Sequence, residues 1–412
     1  MLKFPRNLSG AWAIALGTIV GQGMVLMATP FVARLYGPTN LGEATVFLAL
    51  ASVLTPVISL RLELLIPSAS DQEARWIARR AMMTVAVGST IATIAYGLIS
   101  HTSSVFVLVL FWLTAGGLAS IAISAQVLVR RNSFGRVGAA KAVTGLATSS
   151  VQLTLGYISS TLRGLEAGIA AGYIFGWMVQ RSGFKDELPV VAPERRRRKQ
   201  IMYDGVRLAT AGLLNAASLW SILFALNTFH TSTEAGIFAA VQRIILTPVG
   251  LVTASLLPVV TSSVASVVRR GGSASTVVSR WITRLAPLGI AVCVGLLMAP
   301  ERIYTLLLGP EFDGAGEYVD AMALMIGAQV AAGPLGQVLV ALRCVRGQFW
   351  WDLTRLASLA VVAATIGFLD LPPTSLVLGL AGVFAVSYAL FLISAYVLAR
   401  RLDRRRVDGM DA

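Results

Sequence analysis

Charged residues are scarce in this chain: they make up 13% of its 412 residues, whereas 56% are hydrophobic. A soluble domain has about a quarter of its residues charged, and it needs them to cover its surface. Apolar runs of the roughly 17 to 25 residues that span a bilayer recur along the whole length of the chain, which leaves no polar stretch large enough for a soluble domain. These shortages exclude a soluble globular protein and predict an integral membrane protein.

Histidine and cysteine are equally rare. His101 and His230 lie in predicted turns, and Cys293 and Cys344 fall in or beside apolar segments without metal or redox spacing. The chain has no phosphate-cradling glycine loop and no nucleophile motif. The sequence therefore predicts no enzymatic activity, no metal site and no cofactor.

The apolar runs, which short polar segments separate, predict about twelve helices. They are too long for barrel strands and lack the alternation of such strands. The predicted spans are 9–31, 44–66, 81–99, 105–129, 138–158, 165–183, 207–229, 236–260, 283–300, 316–342, 353–371 and 374–399.

Lysine and arginine orient these spans. With the N-terminus in the cytoplasm, most of the 34 basic residues fall in cytoplasmic segments, and only Arg34, Arg163 and Arg302 fall on the opposite side. The positive-inside rule therefore predicts that both termini lie in the cytoplasm. This distribution over every cytoplasmic loop also explains the net charge of +14 through topology and lipid headgroups, so that nucleic acid is not an expected partner.

The polar segment 181–207, with its basic run RRRRK, divides the spans into six and six. Parallel repeats of this kind place a binding site at their interface. We therefore predict an all-α membrane protein of two six-helix lobes around a central cavity. The expected divisions are an N-terminal lobe over 1–190, a basic cytoplasmic linker over 191–206, a C-terminal lobe over 207–399 and a basic tail over 400–412.

Several charges fall inside the predicted spans, where insertion of a central charge costs about 2.5 to 3.5 kcal/mol. Arg61 and Glu63 lie near the cytoplasmic end of the second span, so Arg61 either snorkels or lines a cavity. Arg243 lies deeper, in the eighth span, and favours a cavity. Lys141 and Arg355 lie one turn inside a cytoplasmic end, which favours snorkelling.

Other polar residues leave two interpretations open. Arg34, at the external mouth, is an interfacial anchor or part of a gate. The amides within spans serve either helix–helix hydrogen bonds or contacts with sugar hydroxyls; they are Gln22, Gln152, Asn215, Gln242, Gln329 and Gln337. Buried cations outnumber buried carboxylates, and this balance suits an anionic substrate such as a diphosphate, whose oxygens match arginine forks.

Two motifs carry a family resemblance. The segment RLYGPTNLG (34–42) followed by RLE (61–63), and the later LLLGPEFDGAGEY (306–318), resemble the polysaccharide-biosynthesis flippases that move O-antigen or exopolysaccharide repeat units. These flippases form a branch of the multidrug/oligosaccharidyl-lipid/polysaccharide exporter superfamily. The resemblance extends over the whole chain in length, span count and topology.

The resemblance implies two lobes around a cationic cavity and transfer of an undecaprenyl-diphosphate-linked oligosaccharide to the outer leaflet by alternating access. The expected partners are membrane lipid, a polysaccharide polymerase and a chain-length regulator. Arg61, Arg243, Lys141 and Arg355 then form the substrate-binding set, and Glu63 and Arg34 are coupling or gating residues.

The alternative is an ion-coupled multidrug or cation exporter of the same superfamily. Such an exporter is expected to carry a coupling carboxylate early in its first lobe, and the first predicted span has none. The peptidoglycan-precursor flippase of the superfamily would have two further helices. Both departures favour the polysaccharide branch.

Overall fold

The computed structural model describes residues 6–181, 192–342 and 345–407, and within these ranges it is all-helical. Cys344, residue 191 of the predicted linker and residues 408–412 of the predicted tail lie outside the described residues. The α-helices are α1 Arg6–Ile58, α2 Asp71–Ile99, α3 Val105–Arg130, α4 Phe134–Ile158, α5 Leu162–Gln180, α6 Arg195–Phe229, α7 Ser232–Arg269, α8 Ala274–Leu297, α9 Glu301–Leu308, α10 Ala315–Ala332, α11 Val338–Ala341, α12 Val345–Phe368 and α13 Pro373–Val407.

The predicted all-α architecture of about twelve spans is confirmed. In the described ranges, nine helices are long and apolar enough to cross a membrane. One of them, α1, contains two of the predicted spans, and α4 and α5 supply the remaining two. The short helix α9 was not predicted, because it is too short to give a hydropathy signal, whereas the residues of α11 were predicted as the end of the span 316–342.

The first two predicted spans form a single element with a kink. Gly37 has φ 72° and ψ 170°, a left-handed conformation that glycine adopts without steric cost, and Pro38 follows it. Tyr36, just before the kink, donates a hydrogen bond of 2.7 Å to the carbonyl of Gln152 in α4. The RLYGP motif is thus a break in α1 rather than an open loop.

The chain forms two compact units, Met1–Trp220 and Ser221–Ala412, with the dividing point inside α6. The lobe boundaries expected from the sequence stay a prediction. The basic run RRRRK, expected in a linker, forms the first turns of α6.

Close packing of α1 on α4 organises the first unit. A Cβ added at Gly17 would collide with the carbonyl of Gly138, and one at Gly145 with the carbonyl of Gly21. The glycines therefore let the two backbones touch, as small residues do between membrane helices. Tyr96 stacks on Phe111 nearby, with ring centroids 4.2 Å apart.

The second unit is built around α10, which is mostly buried and packs against α7, α8 and α13. Gly289 of α8 and Gly327 of α10 meet backbone to backbone. Asp403, near the end of α13, accepts hydrogen bonds from the backbone N–H groups of Ala274 (2.8 Å) and Ser275 (2.9 Å). It thereby caps the first turn of α8, whose N–H groups have no partner within the helix.

Candidate functional site

The sequence predicted that Arg61 and Glu63 lie within a membrane-spanning helix, and this prediction is wrong. α1 ends at Ile58, and a turn with a short 3₁₀ segment, Leu62–Leu65, follows it. Leu60 and Arg61 have φ values of 50° and 49°. A left-handed conformation costs a non-glycine residue roughly 1–2 kcal/mol, so it ends the α-helix and persists only where neighbouring contacts hold it.

The turn is held by contacts on both sides. The Ser59 hydroxyl accepts a hydrogen bond of 3.1 Å from the Arg61 backbone N–H, and Ser59 and Leu62 are fully buried. The Arg61 guanidinium lies against α6: a Cβ placed on Gly212 would be 2.6 Å from its Nε and 3.1 Å from its Nη2. Gly212 of α6, which the sequence interpretation did not single out, therefore lies beside the predicted cation Arg61.

The Arg61 side chain is half-buried, and its guanidinium has no hydrogen-bond acceptor or ion-pair partner among the described residues. Glu63, two residues later, is 4% exposed, and its Oε2 atom has no hydrogen-bond partner in the described part of the chain. The two side chains do not pair with each other. The turn thus contains a cation and a carboxylate that the described protein leaves unneutralised.

Two arginines that were counted only as topology signals fix the end of this turn. Arg130 donates hydrogen bonds to the carbonyls of Ile66 (2.9 Å) and Pro67 (3.1 Å) and to Asp71 (2.7 Å). Arg197 of α6 forms an ion pair of 2.8 Å with Glu73 at the start of α2. The segment Ser70–Glu73 could have revealed this helix start, because its S-x-x-E pattern is a capping box, and the Ser70 hydroxyl does cap α2.

Lys141 lies on the seam between α1 and α4. Its Nζ donates a hydrogen bond of 3.0 Å to the hydroxyl of Thr18, and no carboxylate pairs with it among the described residues. The residue is exposed on the surface of the first unit, as is Gln22, one turn beyond Thr18 on α1. No hydrogen bond joins Lys141 to Arg61, so the structure does not bring these two cations into direct contact.

The amides of the first unit differ in their surroundings. Gln152 is 2% exposed, and its Nε2 donates a hydrogen bond of 3.2 Å to the carbonyl of Leu165, which links α4 to α5. This geometry fits the helix–helix interpretation. Asn215 of α6 is half-buried, and Arg34 is exposed beside the kink of α1.

In the second unit, Gln242, Arg243 and Gln329 are half-buried, the first two on α7 and the third on α10. Gln337, two residues after the 3₁₀ turn Gly333–Leu335, is exposed. The Arg243 carbonyl accepts a hydrogen bond from the Thr247 hydroxyl one turn later, an ordinary arrangement for threonine within a helix.

Arg355 is buried inside the second unit and does not snorkel. It is 4% exposed, forms an ion pair of 3.1 Å with Asp352, and lies over the Trp351 ring at 4.3 Å from the centroid. Its spacing of three residues from Asp352 puts the two on one helix face. This geometry fits a structural ion pair of α12, packed against α13.

Glu166 is a buried carboxylate that the sequence interpretation did not single out. It lies one turn into α5, is 2% exposed and accepts a hydrogen bond of 2.8 Å from Arg163. The i, i+3 spacing of the pair was readable in the sequence. Over the ranges that the structure describes, no three histidine, cysteine or carboxylate side chains are grouped to hold a metal ion.

The fold is similar to those of several solved transporters. The lipid II flippase MurJ, in an inward closed conformation, superposes with a TM-score of 0.75 at 13% identity over 94% of this chain and 90% of its own. An inward-facing multidrug resistance MATE family transporter of the MOP superfamily gives 0.62 at 11% identity over 97% and 98%.

A MATE transporter from Vibrio cholerae gives a TM-score of 0.60 at 13% identity over 97% of this chain and 98% of its own. No family model matches the sequence, and no curated protein matches it. At these identities the likeness shows the fold alone.

Proposed function

We propose that the chain moves undecaprenyl-diphosphate-linked oligosaccharide repeat units from the cytoplasmic to the outer leaflet of the inner membrane by alternating access, for surface polysaccharide assembly. The observation that carries this proposal is the half-buried Arg61 guanidinium without an acceptor among the described residues. A desolvated charge is costly unless it is paired. An anionic group of the substrate would supply the missing partner.

The donors on this chain suit a diphosphate. Arginine presents a planar fork that binds phosphate oxygens in pairs, whereas lysine acts as a point charge. In the proposal Arg61, Lys141 and Arg243 hold the diphosphate, and exposed or half-buried amides such as Gln22 contact sugar hydroxyls. Lys141 fits this role because its only hydrogen bond among the described residues is to a neutral hydroxyl.

A multidrug exporter of the same fold is the second candidate, favoured by the similarity to MATE transporters. The residues 6–36 of α1 contain no carboxylate, and a drug cation would therefore find no counter-charge there. The half-buried cation Arg61 would also repel such a substrate. These two observations support the lipid-linked substrate over the drug.

The test is a leaflet assay in proteoliposomes that contain a fluorescent undecaprenyl-diphosphate oligosaccharide. We expect the wild-type protein to transfer the lipid across the bilayer and Arg61→Ala to lower the rate about tenfold or more, since a hydrogen bond to a charged group contributes about 1.5–3 kcal/mol. Arg243→Ala should act in the same direction.

Arg302→Ala is the matched control, because Arg302 is an exposed arginine of α9 far from any predicted site residue in sequence. Equal rates for all variants would remove Arg61 from the substrate path. A wild-type protein that leaves the lipid in place but exports cationic dyes from the same vesicles would replace the flippase with the exporter.

A further inference from the structure

One face of α6 carries glycine where the turn after α1 approaches it. Gly205 and Gly212 are seven residues apart, which places them two turns apart on the same side of the helix. Glycine inside a helix is unfavourable relative to alanine. Both positions belong to the first unit, so the packing that they permit is local to it.

The two glycines receive different parts of the turn. A Cβ on Gly205 would lie 2.7 Å from Cδ2 of Leu62 and 2.9 Å from the carbonyl oxygen of Leu60. A Cβ on Gly212 would lie 2.6 Å from Nε of Arg61 and 3.0 Å from Cβ of Pro56. Gly205 therefore admits the backbone of the turn, and Gly212 admits the guanidinium.

The left-handed backbone at Arg61 makes this second contact directional. The φ value of 49° and the hydrogen bond of its N–H to Ser59 fix where the side chain leaves the backbone. From that point the guanidinium reaches the bare backbone of Gly212 and stays half-buried there. A methyl group at 212 would occupy the position of the Nε edge and force another rotamer.

We propose that Gly212 is a positioning residue for Arg61: the absent side chain lets the guanidinium lie on α6 and keep its N–H donors free for the anionic headgroup of the substrate. The inference rests on the proposed function and adds a residue that does not itself touch the substrate. The same contact would hold a phosphate-bearing lipid or a soluble phosphate ester, which the test separates.

The experiment measures concentration-dependent transfer of the fluorescent diphosphate lipid by wild type, Gly212→Ala, Arg61→Lys and the double variant. We expect Gly212→Ala to raise the apparent KM about tenfold, with the maximal rate within about twofold of wild type, since misplacing one charged donor weakens binding by roughly this factor. Gly382→Ala is the control, because an added Cβ there meets nothing within 4 Å.

Arg61→Lys in the Gly212→Ala background supplies the specific readout. Lysine has no planar Nε edge to meet the new methyl group, so the double variant should have a lower KM than Gly212→Ala alone. A purely structural role of Gly212 predicts instead that the two substitutions add, and additive KM values would overturn the inference. An unchanged KM for Gly212→Ala in a stable protein would also overturn it.

Thermal unfolding in detergent keeps misfolding apart from misplacement. Gly205→Ala should lower the Tm more than Gly212→Ala does, because it collides with the turn itself. Competition by inorganic pyrophosphate, compared with competition by an unlabelled diphosphate lipid, tells soluble and lipid-borne anions apart; competition by neither overturns the anion-positioning role. If the wild type transfers no lipid at all, both the proposed function and this inference are wrong. If the wild type transfers lipid normally and Gly212→Ala has an unchanged KM, only this inference is wrong.

Discussion

Some arginines among the described residues are neutralised by a carboxylate of the protein, and Arg61 is not. Arg130, Arg163, Arg197 and Arg355 each form an ion pair with a carboxylate, and each pair fixes a particular turn or helix. Arg61 has no such partner among the described residues. For Arg355 and Arg61, which were both predicted to bind substrate, the carboxylate partner rather than the depth in a hydropathy plot separates a structural charge from a candidate binding charge.

The buried ion pair of α12 gives a prediction at this scale. Asp352→Ala should destabilise the protein by about 3 kcal/mol or more, because it leaves a buried guanidinium without its carboxylate. Asp71→Ala is the comparison, since Asp71 is exposed and its pair with Arg130 is screened by water. Thermal unfolding in detergent should show a much larger fall in Tm for Asp352→Ala; equal shifts would contradict the structural role of the pair.

At the scale of elements, the glycine contacts between α1 and α4 determine how close the two helices lie. A side chain at these glycines of α1 or α4 would collide with the backbone of the other helix. Because the colliding atoms belong to the backbone, no flexible side chain could move aside to relieve the contact. The seam also places Lys141 beside Thr18, so the position of one candidate binding residue depends on glycines that contact no substrate.

Two alanine substitutions on α1 test this seam. Gly17→Ala should lower the free energy of unfolding by about 1–3 kcal/mol, the usual cost of overpacking, because its methyl group meets the carbonyl of Gly138. Gly23→Ala on the same helix meets nothing within 4 Å and should be neutral or slightly stabilising. Two results would contradict the close contact of α1 and α4. The first is a Gly17→Ala protein that keeps both its monodisperse peak in size-exclusion chromatography and the wild-type Tm. The second is a Gly23→Ala protein that loses its monodisperse peak.

The sequence predicted the elements well but their ends poorly. Apolar runs identify the spans because hydropathy reports the part of a helix inside the bilayer, so α2 was expected from 81 although its charged first turns begin at Asp71. The second span was extended to 66 because four of the five residues from Leu62 to Ile66 are apolar, and the contacts that hold the left-handed turn after α1, with Ser59 and with α6, give no signal in the sequence. Of the site, Arg61 was found by its charge, whereas Gly212 gives no signal without the fold.

At the scale of the whole molecule, the distribution of lysine and arginine predicts orientation, which the fold alone does not reveal. The loop at 100–104 should face the outside and the loop at 67–70 the cytoplasm. The short external loops leave little chain for an extramembrane module, so activity is expected within the helices.

Thiol labelling in intact cells checks this orientation. In a background with Cys293→Ser and Cys344→Ser, we expect Ser103→Cys to react with a membrane-impermeant maleimide without permeabilisation. Ser68→Cys, in an equally exposed position, should react only after the membrane is permeabilised. The reverse pattern would invert the topology and with it the proposed direction of lipid transfer.

The cap that Asp403 places on α8 also has a consequence for biogenesis. Ribosomes synthesise α8 well before α13, so the amide groups of Ala274 and Ser275 leave the translation machinery before their acceptor exists, because Asp403 lies 129 and 128 residues further along the chain. Assembly of the second unit can therefore be completed only after α13 has been inserted. Nascent chains arrested between α10 and α13 should retain a protease-sensitive start of α8, which closes when translation resumes.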